Sequence, residues 1–194
     1  MKKDIIISGV GGQGILTIAA TIGTAALMEN LQLKQAEVHG MSQRGGDVQS
    51  HLRLSSGNIA SDLIPEGKAD LVISIEPLES LRYINMLNKE SGWLISSMNP
   101  VKNVKNYPSL EKVLSEIWKL PRYITIDSEK VAKEQGSIKT ANIVVLGAAS
   151  PFLGLKIESF EKAIEEMFSG KGEEMVRINL KAFRAGREYA EKNI

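Results

Sequence analysis

Apolar positions along the chain change period in an order that predicts alternating strands and helices. Ile5–Ile7 is a short β-branched run within the segment Asp4–Ser8, the pattern of a strand covered on both faces. Gly9–Gly14 interrupts it. Ile15, Ile18, Ala19, Ile22 and Ala26 then recur at helical spacing and predict a helix over Ile15–Met28. A second strand follows over Leu33–Val38. Where a regular βαβαβ alternation would place a helix, residues 39–47 are polar and glycine-rich. Beyond them Val48, Ser50, Leu52 and Leu54 alternate with Gln49, His51, Arg53 and Ser55. Period two is the signature of a half-exposed strand, and it predicts a long excursion at the sheet's edge with some antiparallel pairing.

Alternation then resumes. Asp70–Ile75 reads as a buried strand, and Pro77 opens a helix running to about Leu87. Gly92–Ser97 and Arg122–Ile126 are further strands, with a loop over Asn99–Tyr107 and a short helix over Leu110–Trp118 between them. Asp127 is placed to cap a helix starting near Ser128. After Gly136 the pattern is helical throughout. Thr140–Ala149 is strongly apolar, Phe160, Ala163, Ile164, Met167 and Phe168 mark one amphipathic face, and Glu173–Lys192 carries acids first and bases last. The fold class is therefore α/β: a three-layer, Rossmann-like single domain over residues 1–194. It has a mixed, mostly parallel sheet, a β-excursion after strand 2 and a helical C-terminal third.

Composition narrows the function. The 194 residues hold 24 Lys+Arg against 23 Asp+Glu, a formal charge of +1. No single-sign field exists to attract nucleic acid or an anionic membrane surface. No segment has the 18 or more consecutive apolar residues of a membrane span, and the N-terminus lacks a signal-peptide pattern, so a cytoplasmic location is expected. A chain of this length buries roughly 70% of its unfolded surface without staples. Cysteine is absent, which excludes thiolate zinc sites, Cys-ligated iron–sulfur clusters and thiol nucleophiles on this chain.

Candidate chemistry concentrates in two glycine-rich stretches, which hold seven of the 17 glycines. The first, Gly9-Val10-Gly11-Gly12-Gln13-Gly14, fits G-x-G-x-x-G between a strand and a helix, where bare backbone and a helix N-terminus suit phosphate. Its alternative is a tight turn serving helix–sheet packing only. The second, His39-Gly40-Met41-Ser42-Gln43-Arg44-Gly45-Gly46-Asp47, offers an Arg fork, the Ser42 hydroxyl and a Gly45-Gly46 pair able to form a backbone nest. The bland reading is a solvated loop. Glu37 ends the second strand where a dinucleotide fold keeps its ribose-binding acid, but a loop and not a crossover helix follows it. His39 reads as a loop residue, with a general-base role as the alternative, and His51 as an outward strand residue. Glu76 and Glu79 fall at a strand end and helix start, where acids commonly serve the helix dipole and could alternatively bind a ligand. Neither G-x-S-x-G nor a P-loop occurs.

Three ordered motifs, Ile7–Leu16, Glu37–Gly46 and Ile75–Tyr83, together with Ala141–Ala148, resemble the gamma-type subunit of 2-oxoacid:ferredoxin oxidoreductases. Within that group the chain looks most like the beta subunit of indolepyruvate ferredoxin oxidoreductase. The resemblance covers nearly the whole chain, as one pyruvate/ketoisovalerate oxidoreductase gamma-type domain. It implies oxidative decarboxylation of a 2-oxoacid, an aryl pyruvate by best match, to acyl-CoA with reduction of ferredoxin. Thiamine diphosphate, Mg and iron–sulfur clusters are expected on a large partner subunit, through which ferredoxin is also met. This chain is expected to hold no cofactor and no metal, to lack catalytic residues, and to be inactive alone. Implied for it are assembly and a share of the coenzyme A site, with Gly9, Gly11, Gly12, Gln13, Gly14, Ser42, Arg44, Gly45 and Gly46 as contacts. A self-contained NAD(P)- or flavin-binding oxidoreductase and a purely structural subunit stand as alternatives.

Overall fold

The computed structural model describes residues 1–39, 45–102 and 104–194. Strand β1 (Lys2–Val10) passes through the first glycine stretch into α1 (Ile15–Met28) and on to the hairpin strands β2 (Gln32–His39) and β3 (Asp47–Ser55). Then come β4 (Leu71–Ser74), α2 (Pro77–Arg82), β5 (Trp93–Ser97), α3 (Leu110–Ile117), β6 (Tyr123–Ile126) and α4 (Ser128–Glu134). Helices α5 (Ala141–Ala149), α6 (Ile157–Phe168) and α7 (Glu173–Glu191) complete the chain. One sheet holds all six strands in the order β2-β3-β1-β4-β5-β6. β1, β4, β5 and β6 pair in parallel, while β3 runs antiparallel to both β1 and β2. The mixed sheet and helical C-terminal third expected from the sequence are both found.

Alternation along β1 builds the two faces. Ile5 and Ile7 face a core shared with α1, α5, α6 and α7, and Ile6 faces a second core closed by α2 and α3. Because α1 crosses one face and α2 and α3 the other, the winding reverses between β1 and β4. A crevice opens there, outside the carboxyl ends of the strands, where open α/β sheets hold ligands.

The β-excursion does sit at one end of the sheet, but its second strand is not half-exposed. β2 takes the edge and β3 lies inside, between β2 and β1. Its polar face is covered by residues 56–70, which bury Ile59 and Ile64. Period two was therefore a true strand signal whose polar face meets protein, not water. His51, expected to point outward, is only 7% exposed, and its Nδ1 accepts the Ile64 N–H at 3.0 Å. The helix after Pro77 is also shorter than expected: α2 ends at Arg82 and a 3₁₀ turn over Ile84–Met86 replaces its remainder.

Burial is the main cause lowering the His51 pKa below 6.5; Arg53 adds to it and Asp62 opposes it. The folded state therefore favours neutral imidazole. Stability from this site is complete above the unfolded-state pKa of about 6.5 and is lost as pH falls below it, where the unfolded chain binds the extra proton. Urea midpoints of the full-length chain should fall between pH 7 and pH 5, with a slope from this one group of at most about 1.4 kcal/mol per pH unit. In His51→Asn, whose Oδ1 keeps the acceptor without titrating, that part of the slope should vanish. An unaltered slope would refute the assignment.

Candidate functional site

Gly9, Gly11, Gly12, Gln13 and Gly14 form the turn at the carboxyl end of β1. Gly12 and Gly14 need their residue type, with φ of 101° and 85° in the left-handed region. Gln13 folds back over the turn. Its Oε1 accepts the Val10 N–H at 2.7 Å and its Nε2 donates to the Ile75 carbonyl at 3.4 Å, tying the turn to the end of β4. A Cβ at Gly9 would lie 2.9 Å from that Oε1, so Gly9 leaves the space Gln13 occupies. Gln13 thus positions the turn's backbone.

The turn leaves α1 open. Gly14 caps it without a side chain, and its first turn carries no acid. Glu76, Ser109 and Asp127 cap α2, α3 and α4 through their side chains, and α6 and α7 carry first-turn acids. Among the described residues only α1 and α5 have neither device. Their N-termini are neighbours, joined by Asn142 Nδ2 donating to the Gly14 carbonyl at 3.4 Å. The partial positive ends of the two helices converge there, an environment suited to an anion, although at α5 the Ala141 and Ile143 N–H groups already donate to the Ile138 carbonyl and Asn142 Oδ1.

The last residues of the second glycine stretch, Gly45 and Gly46, join this place. Gly11 N–H donates to the Gly46 carbonyl at 2.8 Å, so the end of the β2–β3 connection rests against the turn. Gly45 has φ 79°, a glycine conformation. Ser42 and Arg44 lie outside the described residues. Glu37 reaches the same neighbourhood, lining a cavity of about 290 Å³ with Gly12, Leu16 and Val48.

A second cavity, of about 380 Å³, opens on the other side of Gly12, over the carboxyl ends of β4, β5 and β6. Ser97 at the end of β5, Asn99 after it, Ser128 after β6, Lys139 before α5 and Asn142 in its first turn line it; none of them is among the site residues expected from the sequence. Polar residues at or just beyond the ends of apolar strands signal the first three. No sequence signal marks the last two, because tertiary docking of α5 brings them there.

Glu76 and Glu79 serve the fold. Glu76 is 1% exposed, accepts the Glu79 N–H at 2.8 Å as the α2 cap, and also accepts the Tyr107 hydroxyl and the Val101 N–H. Burial, above all, pushes the Glu79 carboxyl up. Among the described residues no cluster of three His, Asp or Glu has metal-binding geometry. With no cysteine in the sequence, this chain's residues do not fit an iron–sulfur cluster. No helix among the described residues is long and apolar enough to cross a membrane.

Comparison with known proteins identifies the family. Residues 4–189 match the family model described as Pyruvate ferredoxin/flavodoxin oxidoreductase. The chain is 37% identical over 198 residues to the indolepyruvate oxidoreductase subunit IorB of Archaeoglobus fulgidus, covering 98% of this chain and 96% of that protein. To the same-named subunit of Pyrococcus horikoshii it is 38% identical over 203 residues, covering 99% and 98%. The gamma subunit of a keto/oxoacid ferredoxin oxidoreductase from Geobacter sulfurreducens superposes with a TM-score of 0.70 at 27% identity, covering 98% of this chain and 99% of that one. The fold also recurs, with a TM-score of 0.73 at 22% identity, in the 2-oxoglutarate:ferredoxin oxidoreductase from Magnetococcus marinus. There 98% of this chain spans 31% of the longer chain.

Proposed function

Because this chain belongs to the pyruvate ferredoxin/flavodoxin oxidoreductase family, we propose that it is the accessory subunit of an indolepyruvate-type 2-oxoacid:ferredoxin oxidoreductase. The complex would oxidatively decarboxylate aryl pyruvates, joining the acyl group to coenzyme A, releasing carbon dioxide and passing two electrons to ferredoxin. Thiamine diphosphate with its Mg and the iron–sulfur clusters would supply that chemistry from the larger partner subunit. The kinship to IorB subunits over nearly full length supports the indolepyruvate assignment.

The role of this chain is assembly and a share of the coenzyme A site. One observation supports it: the Gly11–Gly46 hydrogen bond holds Gly46, at the end of the second glycine stretch, against the turn that leads into the uncapped α1. Coenzyme A phosphates would meet the backbone N–H groups of Gly12 and Gly14 and the Arg44 fork. Glu37, beside the turn, is what a ribose-binding acid would look like, and it favours NAD(P) or flavin as the second reading.

Losing one charged hydrogen bond to phosphate is worth about 1.5–3 kcal/mol. Arg44→Ala should therefore raise the KM for coenzyme A in the purified complex by roughly 10- to 100-fold. Subunit assembly and kcat should stay as in the wild type. Unchanged coenzyme A dependence would overturn the role, and micromolar binding of NADH or FMN by the isolated chain would favour the second reading.

A further inference from the structure

β2 leaves one edge of the sheet open. The opposite edge, β6, is four residues long. Its Arg122 and Ile126 carbonyls bond towards β5, and the Thr125 carbonyl between them, turned the other way, accepts the Tyr189 hydroxyl at 2.9 Å. β2 is eight residues long, and among the described residues β3 is the only strand paired with it. Edges are commonly guarded by a proline, a bulge or a charge held over them. β2 contains no proline, and its eight consecutive pairs with β3, from Gln32↔Ser55 to His39↔Val48, leave no bulge. Its lysine, Lys34, reaches sideways to the Ala60 carbonyl at 3.5 Å. The edge therefore presents its outward backbone to another strand.

The flank above that edge is apolar. α1 contains no charged residue in its 14 positions. Leu16, Ala20 and Leu27 are exposed and fall within about 40° of arc on it. Gly23, beside them on the helix, packs on β2: a Cβ there would lie 3.5 Å from Leu33 Cδ2. The stripe thus overhangs the open edge. On the other face of the sheet Val38 adds an apolar side chain that is 47% exposed.

A second copy of this chain meets both features at once. A twofold axis normal to the sheet sets β2 antiparallel to its symmetry mate and keeps each face of the sheet on its own side. Residues opposite one another must then share a face, so the axis passes through a residue. Lys34 or Glu37 on the axis would set like charges opposite each other. Gln35 there would place Leu33 against Glu37 of the other copy. Ala36 there pairs residues 33–39, seven of the eight in β2, and sets each Gln35 amide opposite a Glu37 carboxylate. The patch is about 26 Å long at about 3.3 Å per residue, and the sheet with one helix layer makes it about 20 Å deep. That is on the order of 500 Å² in projection per copy and 1,000 Å² over both, the lower bound of a specific interface.

We infer that this chain forms a twofold dimer through β2, with Ala36 on the axis and the two α1 flanks facing each other over the join. The inference draws nothing from the coenzyme A reading, which the Arg44→Ala result decides separately.

Sedimentation of the full-length chain should give twice its mass of 21.2 kDa at about 100 μM, well above the roughly micromolar dissociation constants of modest interfaces. Because the chain has no cysteine, an introduced one reports a single position. Opposed residues of an antiparallel pair have Cα atoms about 4.5–5.5 Å apart, inside the about 4.4–6.8 Å that a disulfide spans. Ala36→Cys should therefore yield covalent dimers under mild oxidation. Lys119→Cys, beyond the opposite edge at a side chain that is 68% exposed, should not. Val38→Lys places a lysine opposite Lys34 of the other copy, and Leu27→Lys charges the flank. Both positions are exposed, so the double variant should keep its thermal midpoint while its dimer dissociation constant rises at least tenfold. A monomer at about 100 μM, a dimer indifferent to the two lysines, or cross-linking of Ala36→Cys no better than of Lys119→Cys overturns the inference. In the monomeric case, protection of the β2 amides from hydrogen exchange in the purified complex would assign the edge to the larger subunit.

Discussion

Gly186→Ala should lower the stability of the full-length chain by at least about 3 kcal/mol, at the top of the usual overpacking range of about 1–3 kcal/mol. At this chain length that is a fall in Tm of roughly 6–12 °C. Helices α5 and α7 cross through a reciprocal pair of glycines. A Cβ on Gly186 would sit on the Val144 carbonyl, 2.8 Å from its carbon and 3.1 Å from the Ala148 nitrogen. A Cβ on Gly147 would meet Phe183 and Arg187 in the same way, 3.0 Å from the Arg187 nitrogen. The obstruction is backbone, which has no rotamer to relax into, so the helices must part and loosen the core around Phe160 and Phe183. Gly170→Ala is the control: its Cβ would meet nothing within 4 Å, and its Tm should be unchanged or slightly raised. Equal melting of Gly186→Ala and wild type would show that the helices are not in contact at this crossing.

Asp4→Asn should destabilise by about 3–5 kcal/mol, the range for breaking a buried ion pair. Asp4 on β1 stands directly opposite Arg53 on β3 and is 2% exposed. The guanidinium meets it as a fork, Nε to Oδ1 at 2.7 Å and Nη2 to Oδ2 at 3.0 Å, while Nη1 donates to the carbonyls of Ser61 and Leu63 at 3.0 Å each. Arg53 therefore binds β1, β3 and the segment covering them. Removing the carboxylate charge leaves a largely buried guanidinium without its counter-ion, which is dearer than having neither. The double variant Asp4→Leu with Arg53→Met should accordingly recover part of the loss. The check is the urea midpoint, with the m-value showing that the folded state keeps its compactness. A midpoint for Asp4→Asn within 0.5 kcal/mol of wild type would refute the pair's contribution.

Secondary structure was legible wherever local pattern and local chemistry agreed. The run Ile5–Ile7, the helical spacing from Ile15 to Ala26 and the Asp127 cap each need only neighbours in sequence, and all stand where the sequence placed them, Asp127 accepting the Lys130 N–H. The burial of His51 was not legible. Alternation gives the period of a strand but not what covers its polar face, and here residues 56–70 do so. That Gly147 and Gly186 pack on one another follows only from how α7 folds back on α5.

At the candidate site the division is the same. The glycines before α1 are a property of a few consecutive residues, so the sequence alone marked this turn as a candidate for an anion, and the missing cysteines alone determined that any iron–sulfur cluster lies elsewhere. Only the tertiary structure decided that Gly11 and Gly46 touch, that α5 brings Asn142 and Lys139 to the same crevice, and that Glu76 pins a loop wall in place. Those contacts join residues 25 to 128 positions apart. Their existence depends on how the sheet is wound, which a local pattern does not encode.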